Sequence, residues 1–327
     1  MTVSIALCTY NGEKFLQDQL ESYTHQTKLP DELIICDDQS TDNTVKIIES
    51  FQDSAPFNVR LYVNPSRLGS TKNFEHAISQ CTGDIIFLSD QDDWWYQQKI
   101  RTVVERLGEK DNRACGGVFS DAEIVDENMI YQNRNLWESI GFNRKKRRNF
   151  ARGETIPLLF KRDVVTGATM AFDANFKKLI LPIPENWVHD AWISLMLAYA
   201  SNLCMIEQPL IKYRQHRFQQ IGARKPTFSH RAEAIRTGLH NKNDYYLQEA
   251  GILKQAYERI LKFQAELKDP CSIKVLRDNI DHLENRASIR NGDASRIIIP
   301  MKELVSGRYH KYSLGWNSFF KDLVIGH

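Results

Sequence analysis

Three carboxylates stand within four residues of this chain, at Asp90, Asp92 and Asp93, directly after the apolar run 85–88. A short apolar run of this kind predicts a buried strand, here ending at Ser89. Open α/β sheets bind their ligands beyond the carboxyl ends of their strands. Mg²⁺ prefers oxygen ligands and is usually held by one or two carboxylates together with substrate phosphates. The Asp-x-Asp pair therefore suggests a site for a divalent metal and a diphosphate, although an acidic solvated turn would show the same pattern.

The elements that would position these carboxylates alternate along the first 130 residues. Apolar runs and turn signals predict strands over 3–9, 32–38, 59–63, 84–88 and 117–120, and helices over 13–25, 44–51, 73–80 and 97–107. This alternation predicts an α/β fold with a mainly parallel sheet and helices on both faces. The first four strands all end in polar residues, which would meet in one crevice. No G-x-G-x-x-G or Walker A sequence occurs, which argues against a nicotinamide dehydrogenase and a P-loop nucleotidase.

Composition limits the class of protein. The chain has 327 residues, enough for one large domain and an extension. Its net charge of +2 hides an asymmetry, because residues 201–327 carry 21 Lys and Arg against 13 Asp and Glu. The basic half fits an anionic partner such as a phospholipid surface, and a solvated helical surface fits it equally well.

The cysteines and the apolar runs bear on the compartment. The six cysteines show no metal-binding spacing, and Cys8 and Cys36 lie inside apolar strand-like runs, which indicates a reducing compartment. No signal peptide precedes the first strand, and no apolar run approaches the roughly 18 residues that span a bilayer. We therefore expect a cytoplasmic protein, with peripheral contact to the inner face of the cell membrane as an option.

Three segments, 4–12, 34–42 and 89–93, resemble the family 2 glycosyltransferases of the GT-A fold, in the same order. The resemblance covers about residues 1–220 and is strongest to bacterial rhamnosyltransferase-type enzymes of cell-surface polysaccharide synthesis. It implies a GT-A catalytic domain over 1–225 and a helical C-terminal extension over 226–327 for acceptor, membrane or dimer contacts. It further implies an inverting, Mg²⁺- or Mn²⁺-dependent transfer from a dTDP- or UDP-sugar, L-rhamnose being the first guess, to a saccharide or lipid-linked saccharide.

The resemblance also assigns residues to the nucleotide sugar, namely Thr9, Tyr10, Asn11, Asp37, Asp38, Asn73, Asp90 and Arg214. Asp37 or Asp38 would accept a hydrogen bond from the pyrimidine N–H, since a carboxylate only accepts. Two of these residues have structural alternatives, a turn for Asp37 and a helix cap for Asn73. Asp90 would bind the ribose or the water shell of the metal, Asp92 the metal itself, and Asp93 would cap the next helix.

The remaining assignments concern the chemistry and the acceptor. Asp190 would be the general base of an inverting transfer, with helix capping as the alternative. Arg214 would pair with the diphosphate and His216 would complete the metal shell. The residues on the acceptor side would be Gly167, Trp94 and His189, although His189 and at least one of Trp94 and Trp95 also fit core packing. The motif 213–216 departs from the Gln-Arg-Arg-Trp of processive synthases, which favours adding one or a few sugars.

Some readings stay open at this point. A nucleotidyltransferase also combines an α/β sheet with metal carboxylates, and a non-catalytic nucleotide-sugar- or glycan-binding protein would carry the same pocket; no nucleic-acid face is traceable. The basic run 144–148 is predicted as a loop that holds an anionic lipid-linked acceptor, touches a membrane or is merely solvated. The tail predicts helices over 231–247, 252–268 and 273–290. Its aromatic segment 309–323 fits a membrane interface, a homodimer or packing within the protein.

Overall fold

The computed structural model describes residues 1–109, 115–161, 164–217, 242–290 and 294–324. It divides into two units, one made of Met1–Ala151 and Val164–Lys225, the other of Arg152–Asp163 and Pro226–His327. The predicted domain boundary at 225/226 lies among residues 218–241, outside the described residues. The short segment 152–163 was expected in the catalytic domain and groups with the C-terminal helices.

The first half of unit 1 is a parallel sheet with strand order β3-β2-β1-β4. Its strands are β1 (Val3–Thr9), β2 (Glu32–Asp37), β3 (Asn58–Val63) and β4 (Ile85–Ser89). Three helices connect them, α1 (Leu16–Thr24), α2 (Thr44–Gln52) and α3 (Ser70–Gln80). β2 and β4 are buried along their whole length, which explains their unbroken apolar runs. The parallel arrangement brings the carboxyl ends of β1, β2 and β4 to one edge.

The second half of unit 1 continues the sheet through β4-β8-β6-β9-β5, with β7 paired to β6. Its strands are β5 (Trp94–Trp95), β6 (Cys115–Val125), β7 (Tyr131–Asn135), β8 (Met170–Asp173) and β9 (Asn202–Arg214). Its helices are α4 (Lys99–Gly108), α5 (Leu136–Ser139), α6 (Arg144–Ala151), α8 (Lys177–Ile180) and α9 (His189–Ala200). β8 runs antiparallel to both β4 and β6, while β6 and β9 are parallel. The predicted α/β class with a largely parallel sheet is confirmed, and antiparallel pairs are added in this half.

The basic run 144–148 was wrongly predicted as a loop, because it forms most of α6. The helix is held by Phe150, which is 4% exposed and lies against Phe119 of β6, with ring centroids 5.4 Å apart. Two of the cations also hold the helix, since Lys146 Nζ donates to Gly141 O and Arg147 Nη1 donates to Phe142 O. Arg144, Lys145 and Arg148 remain exposed on it.

Cys115 and Cys204, which lie on the neighbouring strands β6 and β9, form a disulfide. The two residues are 89 positions apart in the sequence, and no motif links them. Cys8 and Cys36 are free, as expected for small apolar residues in strands. The disulfide removes part of the support for the reducing-compartment interpretation, which treated all six cysteines alike.

Unit 2 is helical in its described part. It contains α7 (Thr155–Leu159), α10 (Lys242–Lys262), α11 (Ile273–Ala287), α12 (Ser295–Val305), α13 (Arg308–Tyr312) and α14 (Trp316–Val324). The predicted helix 273–290 is confirmed as α11. The predicted break between 247 and 252 is wrong, because α10 runs through Gly251, and the predicted helical start at 231–241 lies outside the described residues. Within the described parts of the chain, no helix has the length and apolar character needed to cross a membrane.

Buried ion pairs join the helices of unit 2. His282 Nδ1 lies 2.6 Å from Glu303 Oε2, and both side chains are fully buried. Arg286 Nε donates to Asp322 Oδ2 at 2.7 Å, and the Tyr309 hydroxyl donates to the same oxygen at 2.7 Å. Buried charges need such partners because desolvation is costly. The carboxylates of α12 and α14, Glu303 and Asp322, are therefore buried and hydrogen-bonded within unit 2.

Candidate active site

Asp37, at the end of β2, is fully buried and its carboxylate is occupied by protein donors. It accepts hydrogen bonds from Thr9 Oγ1 at 2.7 Å, from Ser40 N at 2.8 Å and from Ser40 Oγ at 2.6 Å. These bonds join the ends of β1 and β2 and fix the loop that follows. The turn alternative describes Asp37 and Thr9 better than direct contact with a nucleotide does.

Asp38 holds a different loop and keeps some capacity to accept. Its Oδ1 accepts from Leu68 N at 2.6 Å and Asn64 Nδ2 at 3.1 Å, whereas its Oδ2 accepts only from Gly69 N at 2.9 Å among the described residues. Gly69 has φ of +79°, a conformation that favours glycine. Each of the two adjacent aspartates accepts three hydrogen bonds and so keeps about one acceptor site, and Asp38, 4% exposed against 0% for Asp37, is the more accessible of the two to a pyrimidine N–H.

Asn73 neither caps its helix nor points an unused amide at a ligand. The cap position of α3 is Gly69, and the Asn73 side chain donates to Cys36 O at 2.8 Å and accepts from Asn64 Nδ2 at 2.8 Å. The residue is 2% exposed. The prediction that Asn73 contacts the donor is therefore corrected to a positioning role between β2 and the loop after β3.

The loop after β1 carries the predicted residues Tyr10 and Asn11, and Gln91 and Arg67, to which the sequence assigned no role, contact Tyr10. Gln91 clamps the backbone of Tyr10, since its Oε1 accepts from Tyr10 N at 2.8 Å and its Nε2 donates to Tyr10 O at 3.0 Å. Asn11 has φ of +47°, and its Oδ1 accepts from Thr41 N at 2.8 Å. The Arg67 guanidinium lies 3.9 Å from the centroid of the Tyr10 ring. Arg67 thus adds a cation to the predicted nucleotide side.

The two predicted metal ligands meet. Asp92 Oδ2 lies 2.7 Å from His216 Nε2, with the side chains 13% and 7% exposed respectively. The neighbouring Asp90 is partly buried, and burial followed by the charges of Asp92 and Asp190 raises its pKa to about 7. Carboxylates from two distant stretches of sequence therefore share one electrostatic environment.

Asp93 was predicted to cap the next helix, and this is wrong. The carboxylate is fully buried and its Oδ1 accepts from Arg214 N of β9 at 3.0 Å, while α4 begins six residues later. Burial raises the pKa of Asp93. Its buried Oδ2 has no hydrogen-bond partner within the described residues.

Lys99 is a second residue that the sequence did not single out. It is fully buried in the first turn of α4, where its Nζ donates to Ala168 O at 2.7 Å and lies 3.6 Å from the Trp95 ring centroid. Burial lowers the pKa of Lys99, and the charges of Asp93 and Asp90 oppose that shift. Lys99 therefore hydrogen-bonds to the turn that precedes β8 and interacts electrostatically with Asp90 and Asp93.

The guanidinium of Arg214 donates hydrogen bonds to three residues around the site, Asp92 among them. It donates from Nε to Asp92 O at 2.8 Å, from Nη1 to Glu127 O at 2.9 Å and from Nη2 to Asp18 Oδ2 at 2.6 Å. The residue is 2% exposed. These acceptors use three of the five guanidinium N–H groups, and the contacts favour positioning of the Asp92 backbone. The pairing of Arg214 with the diphosphate stays a prediction.

Asp190 lies in the first turn of α9 and is joined to the turn before β8. Its Oδ2 accepts from Gly167 N at 3.0 Å and its Oδ1 accepts from Ala191 N at 2.7 Å. His189 is 7% exposed, and its ring stacks on Phe74 with centroids 3.9 Å apart. Burial lowers the pKa of His189, and the Asp190 charge opposes this. The core interpretation therefore fits His189.

Gly167 is glycine for a steric reason. A Cβ at this position would lie 2.7 Å from His189 Nε2 and 3.6 Å from Asp190 Cβ. The turn can therefore approach the His189 ring this closely only without a side chain, whereas the distance to Asp190 is an ordinary contact. Trp94, the last predicted acceptor-side residue, is half-buried with its ring near that of His25, whereas Trp95 is a core residue at 1% exposure.

Comparison with known proteins decides the family. Residues 4–164 match the family model described as "Glycosyl transferase family 2". The dTDP-rhamnosyl transferase RfbG of Shigella flexneri is 30% identical over 258 residues, which is 74% of this chain and 81% of that protein. The chain belongs to glycosyl transferase family 2. The nucleotidyltransferase alternative is not retained, since the chain is a glycosyltransferase.

Two further relatives extend the comparison. The family 2 chain is 30% identical over 128 residues to the UDP-Glc:alpha-D-GlcNAc-diphosphoundecaprenol beta-1,3-glucosyltransferase WfgD of Escherichia coli, covering 39% of this chain and 48% of that protein. The fold is that of S. aureus TarS 1-349 in complex with UDP-GlcNAc, with a TM-score of 0.56, 14% identity and coverage of 99% of this chain and 82% of that one.

A divalent metal fits the site of this glycosyltransferase only together with its substrate. Within the described residues, no group of three or more His, Cys, Asp and Glu side chains is arranged to hold a metal ion. The Asp92–His216 pair offers two ligands, and the raised pKa of Asp90 shows that negative charge is crowded beside it. Two protein ligands completed by diphosphate oxygens are the usual arrangement for Mg²⁺, so the residues present fit the ion.

Proposed function

We propose that this glycosyltransferase moves a sugar, with L-rhamnose as first candidate, from a dTDP- or UDP-sugar to a saccharide or lipid-linked saccharide in cell-surface polysaccharide synthesis. The dTDP-rhamnosyl relative supports the donor, because it aligns over most of both chains. The name of the glucosyltransferase relative contains a diphosphoundecaprenol acceptor, which supports a lipid-linked class. A lipid-linked acceptor would bring the enzyme to the cytoplasmic surface of a membrane.

The observation that carries the proposal is the position of Asp190 beside the Asp-x-Asp pair. Its charge is close enough to raise the pKa of Asp90, and each of its oxygens accepts one backbone N–H. A carboxylate oxygen has about two acceptor sites, so Asp190 keeps lone pairs that can take a proton. This is the group required on the acceptor side of an inverting transfer.

The proposed reaction is a single displacement. Asp190 takes the proton of the acceptor hydroxyl, whose oxygen attacks the anomeric carbon of the sugar. The bond from that carbon to the diphosphate breaks in the same step, and the diphosphate leaves with the electron pair. Because the attack comes from the opposite face, the anomeric configuration inverts.

Asp92 and His216 would hold the divalent ion, Mg²⁺ or Mn²⁺, with the donor diphosphate. When bound, the ion supplies positive charge against the charge that develops on the leaving diphosphate. Arg214 fixes the Asp92 backbone and the adjacent Asp93 side chain through the bonds described above. Asp38, Tyr10 and Arg67 would surround the nucleoside.

A paired binding and turnover experiment tests the proposal. Thermal shift with dTDP, UDP, GDP and CMP, with and without Mn²⁺ or Mg²⁺, identifies the nucleotide, because ligands that bind only the folded state stabilise it. We expect metal-dependent stabilisation by one pyrimidine diphosphate. Asp92→Asn should abolish this stabilisation, and Asp190→Asn should keep it. Asp53→Asn, an exposed aspartate after α2, is the matched control and should behave as wild type.

Turnover separates catalysis from binding. With the identified donor sugar and acceptor saccharides, Asp190→Asn should release the nucleoside diphosphate about 10²–10⁴-fold more slowly, the usual range for a general base. Near-normal turnover in Asp190→Asn would show that another group accepts the proton. Nucleotide binding without turnover in wild type, across donors and acceptors, would favour a non-catalytic binding protein.

A further inference from the structure

Helix α12 carries an exposed apolar stripe made of Ile297, Ile298, Met301 and Val305, which are 63%, 62%, 45% and 84% exposed. At 3.6 residues per turn these four positions fall within about 100° of the helix circumference. Glu303, on the opposite side of the helix, is fully buried. The helix therefore exposes four apolar side chains on one face and buries the carboxylate of Glu303, together with Pro300, on the other.

Helix α14 also exposes large apolar side chains, while Phe319 of this helix is buried. Trp316 and Phe320, one turn apart, are 53% and 54% exposed, and their rings stack with centroids 5.9 Å apart. Asp322 on the same helix is fully buried. The two helices are neighbours in unit 2, where Arg296 Nε of α12 donates to Leu323 O of α14 at 3.0 Å. Large apolar side chains are thus exposed on two adjoining helices.

The charge on this segment has one sign at the surface. Residues 294–324 contain two acidic residues, Glu303 and Asp322, and both are buried. Glu303 accepts from Arg308 Nη1 at 3.2 Å and Asp322 accepts from Arg286, so both have a cationic partner. Lys302, Lys311 and Lys321 are exposed, and none of them forms an ion pair within the described residues. The exposed surface of the segment combines apolar side chains with lysines and carries no carboxylate.

We propose that α12 and α14 form a docking surface for a bilayer that contains anionic phospholipids. Isoleucine, valine, tryptophan and phenylalanine enter the acyl boundary of a bilayer, and lysines beside them reach the anionic headgroups. The attraction of each lysine to an anionic surface and the burial of the apolar stripe act together, as two-signal anchoring requires. The inference does not depend on which donor or acceptor the enzyme uses.

A second copy of the chain is the competing occupant, and charge opposes it. A two-fold symmetric contact places the same surface of both copies together. The exposed lysines of both copies, Lys302 and Lys321 among them, would then share one interface, with no exposed carboxylate on either segment to compensate. Like charges across an interface cost binding free energy. An anionic bilayer has the opposite charge and needs no matching side-chain pattern.

Vesicle flotation of the full chain tests the proposal. The probes are vesicles of phosphatidylcholine alone and of phosphatidylcholine with phosphatidylglycerol in equal amounts. We expect wild type to float with the anionic vesicles and to bind the neutral ones far more weakly. The variant I297S/I298S/V305S should lower the partition coefficient at least about tenfold. The variant K302Q/K321Q should lower it by about fivefold per lysine, and this part should shrink as salt is added.

The control removes equal charge from the other unit. R144Q/R148Q neutralises two exposed cations of α6 and should change vesicle binding less than K302Q/K321Q does. Equal loss in both variants would mean that net charge alone drives binding, and would overturn the proposed surface. Analytical ultracentrifugation without vesicles tests the competing occupant. A wild-type dimer that becomes a monomer in I297S/I298S/V305S would assign the stripe to self-association instead.

The melting temperature and the turnover of I297S/I298S/V305S show whether the substitutions affect folding or catalysis. The substituted side chains are exposed, so the melting temperature of I297S/I298S/V305S should match that of wild type. Turnover with a water-soluble acceptor should also match, because none of these residues lies in the catalytic site. Wild type that fails to float with anionic vesicles would overturn the inference even if the proposed transfer is correct. Conversely, loss of the proposed donor would leave the flotation result unaffected.

Discussion

Gly167→Ala should lower the catalytic rate, because the added methyl group would collide with His189, the neighbour of the proposed base Asp190. The added Cβ would lie 2.7 Å from His189 Nε2, whereas ordinary contacts of this kind begin at 3.4 Å. One of the two groups must therefore move by about 0.7 Å. The ring of His189 cannot swing away freely because it is buried and stacked on Phe74. The displacement is expected to reach Asp190, whose Oδ2 accepts from the backbone N–H of Gly167.

The size of the effect follows from two terms. Overpacking of a well-packed region typically costs about 1–3 kcal/mol of unfolding free energy. A misplacement of about 1 Å at a catalytic group can cost about 10²-fold in rate. We therefore expect Gly167→Ala to lose about 1–3 kcal/mol of stability and about 10–100-fold in kcat. The donor KM should change little, because the altered group lies on the acceptor side of the proposed reaction.

The assay combines urea unfolding with the release of nucleoside diphosphate from the identified donor. Gly251→Ala is the matched control, since a Cβ there meets nothing within 4 Å and the residue lies inside α10. That change should stabilise the protein by up to about 1 kcal/mol through helix propensity and leave kcat unchanged. The double variant Gly167→Ala/His189→Ala removes the ring that the new methyl meets. Gly167→Ala should therefore lower the free energy of unfolding less in the His189→Ala background than it does in the wild-type protein.

Two results would refute the reasoning. Wild-type stability and kcat in Gly167→Ala would show that the turn relaxes without moving Asp190. Full additivity of Gly167→Ala and His189→Ala would show that the lost stability does not arise from contact between them.

Three further predictions concern the scaffold of the site. Asp90→Asn should stabilise the protein in EDTA by up to about 4 kcal/mol at pH 8 and by much less at pH 4. The pKa of Asp90 in the folded protein, about 7, lies above the usual 3.8, so the stability of the wild-type protein falls as the pH rises between these values. Equal effects of the substitution at both pH values in urea unfolding would contradict this. Arg214→Lys should lose about 2–4 kcal/mol of unfolding free energy, since Lys cannot replace the forked bonds to Asp18 and Glu127. A loss no larger than that of the control Asp53→Asn would disprove the bracing role. Alkylation of the unfolded chain should label four cysteines before reduction and six after it, as read by mass, if Cys115 and Cys204 are bonded; six labels before reduction would rule the bond out.

The parts of the fold that depend on local pattern were predictable. The first four strands and their polar ends follow from short apolar runs and turn residues, and the meeting of Thr9 with Asp37 at the ends of β1 and β2 follows once these strands are parallel. The family motifs also led to His216, which lies beside Asp92. These inferences succeed because each depends on residues that are close in sequence or share one sheet edge.

The failures depend on long-range packing. Asp93 resembles a helix cap, but its carboxylate bonds to Arg214 N, 121 residues away. Lys99 looks like a surface helix residue, yet it is buried because Ala168 O accepts a hydrogen bond from its Nζ and the Trp95 ring covers it. Arg67 is one exposed cation among many in the sequence, and only the loop that Asp38 holds brings it over Tyr10.

The assignment of residues 152–163 to the helical unit constrains any attempt to dissect the enzyme. The polypeptide passes between the two units at 151/152, 163/164 and 225/226, so one proteolytic cut cannot release either unit whole. An expression fragment ending at 225 would retain Leu159 and Phe160, which are 8% and 6% exposed here, together with Lys161, whose Nζ donates to His310 O at 2.5 Å. Without the C-terminal helices, Leu159 and Phe160 would become exposed, so such a fragment should aggregate unless residues 152–163 are replaced by a short polar linker.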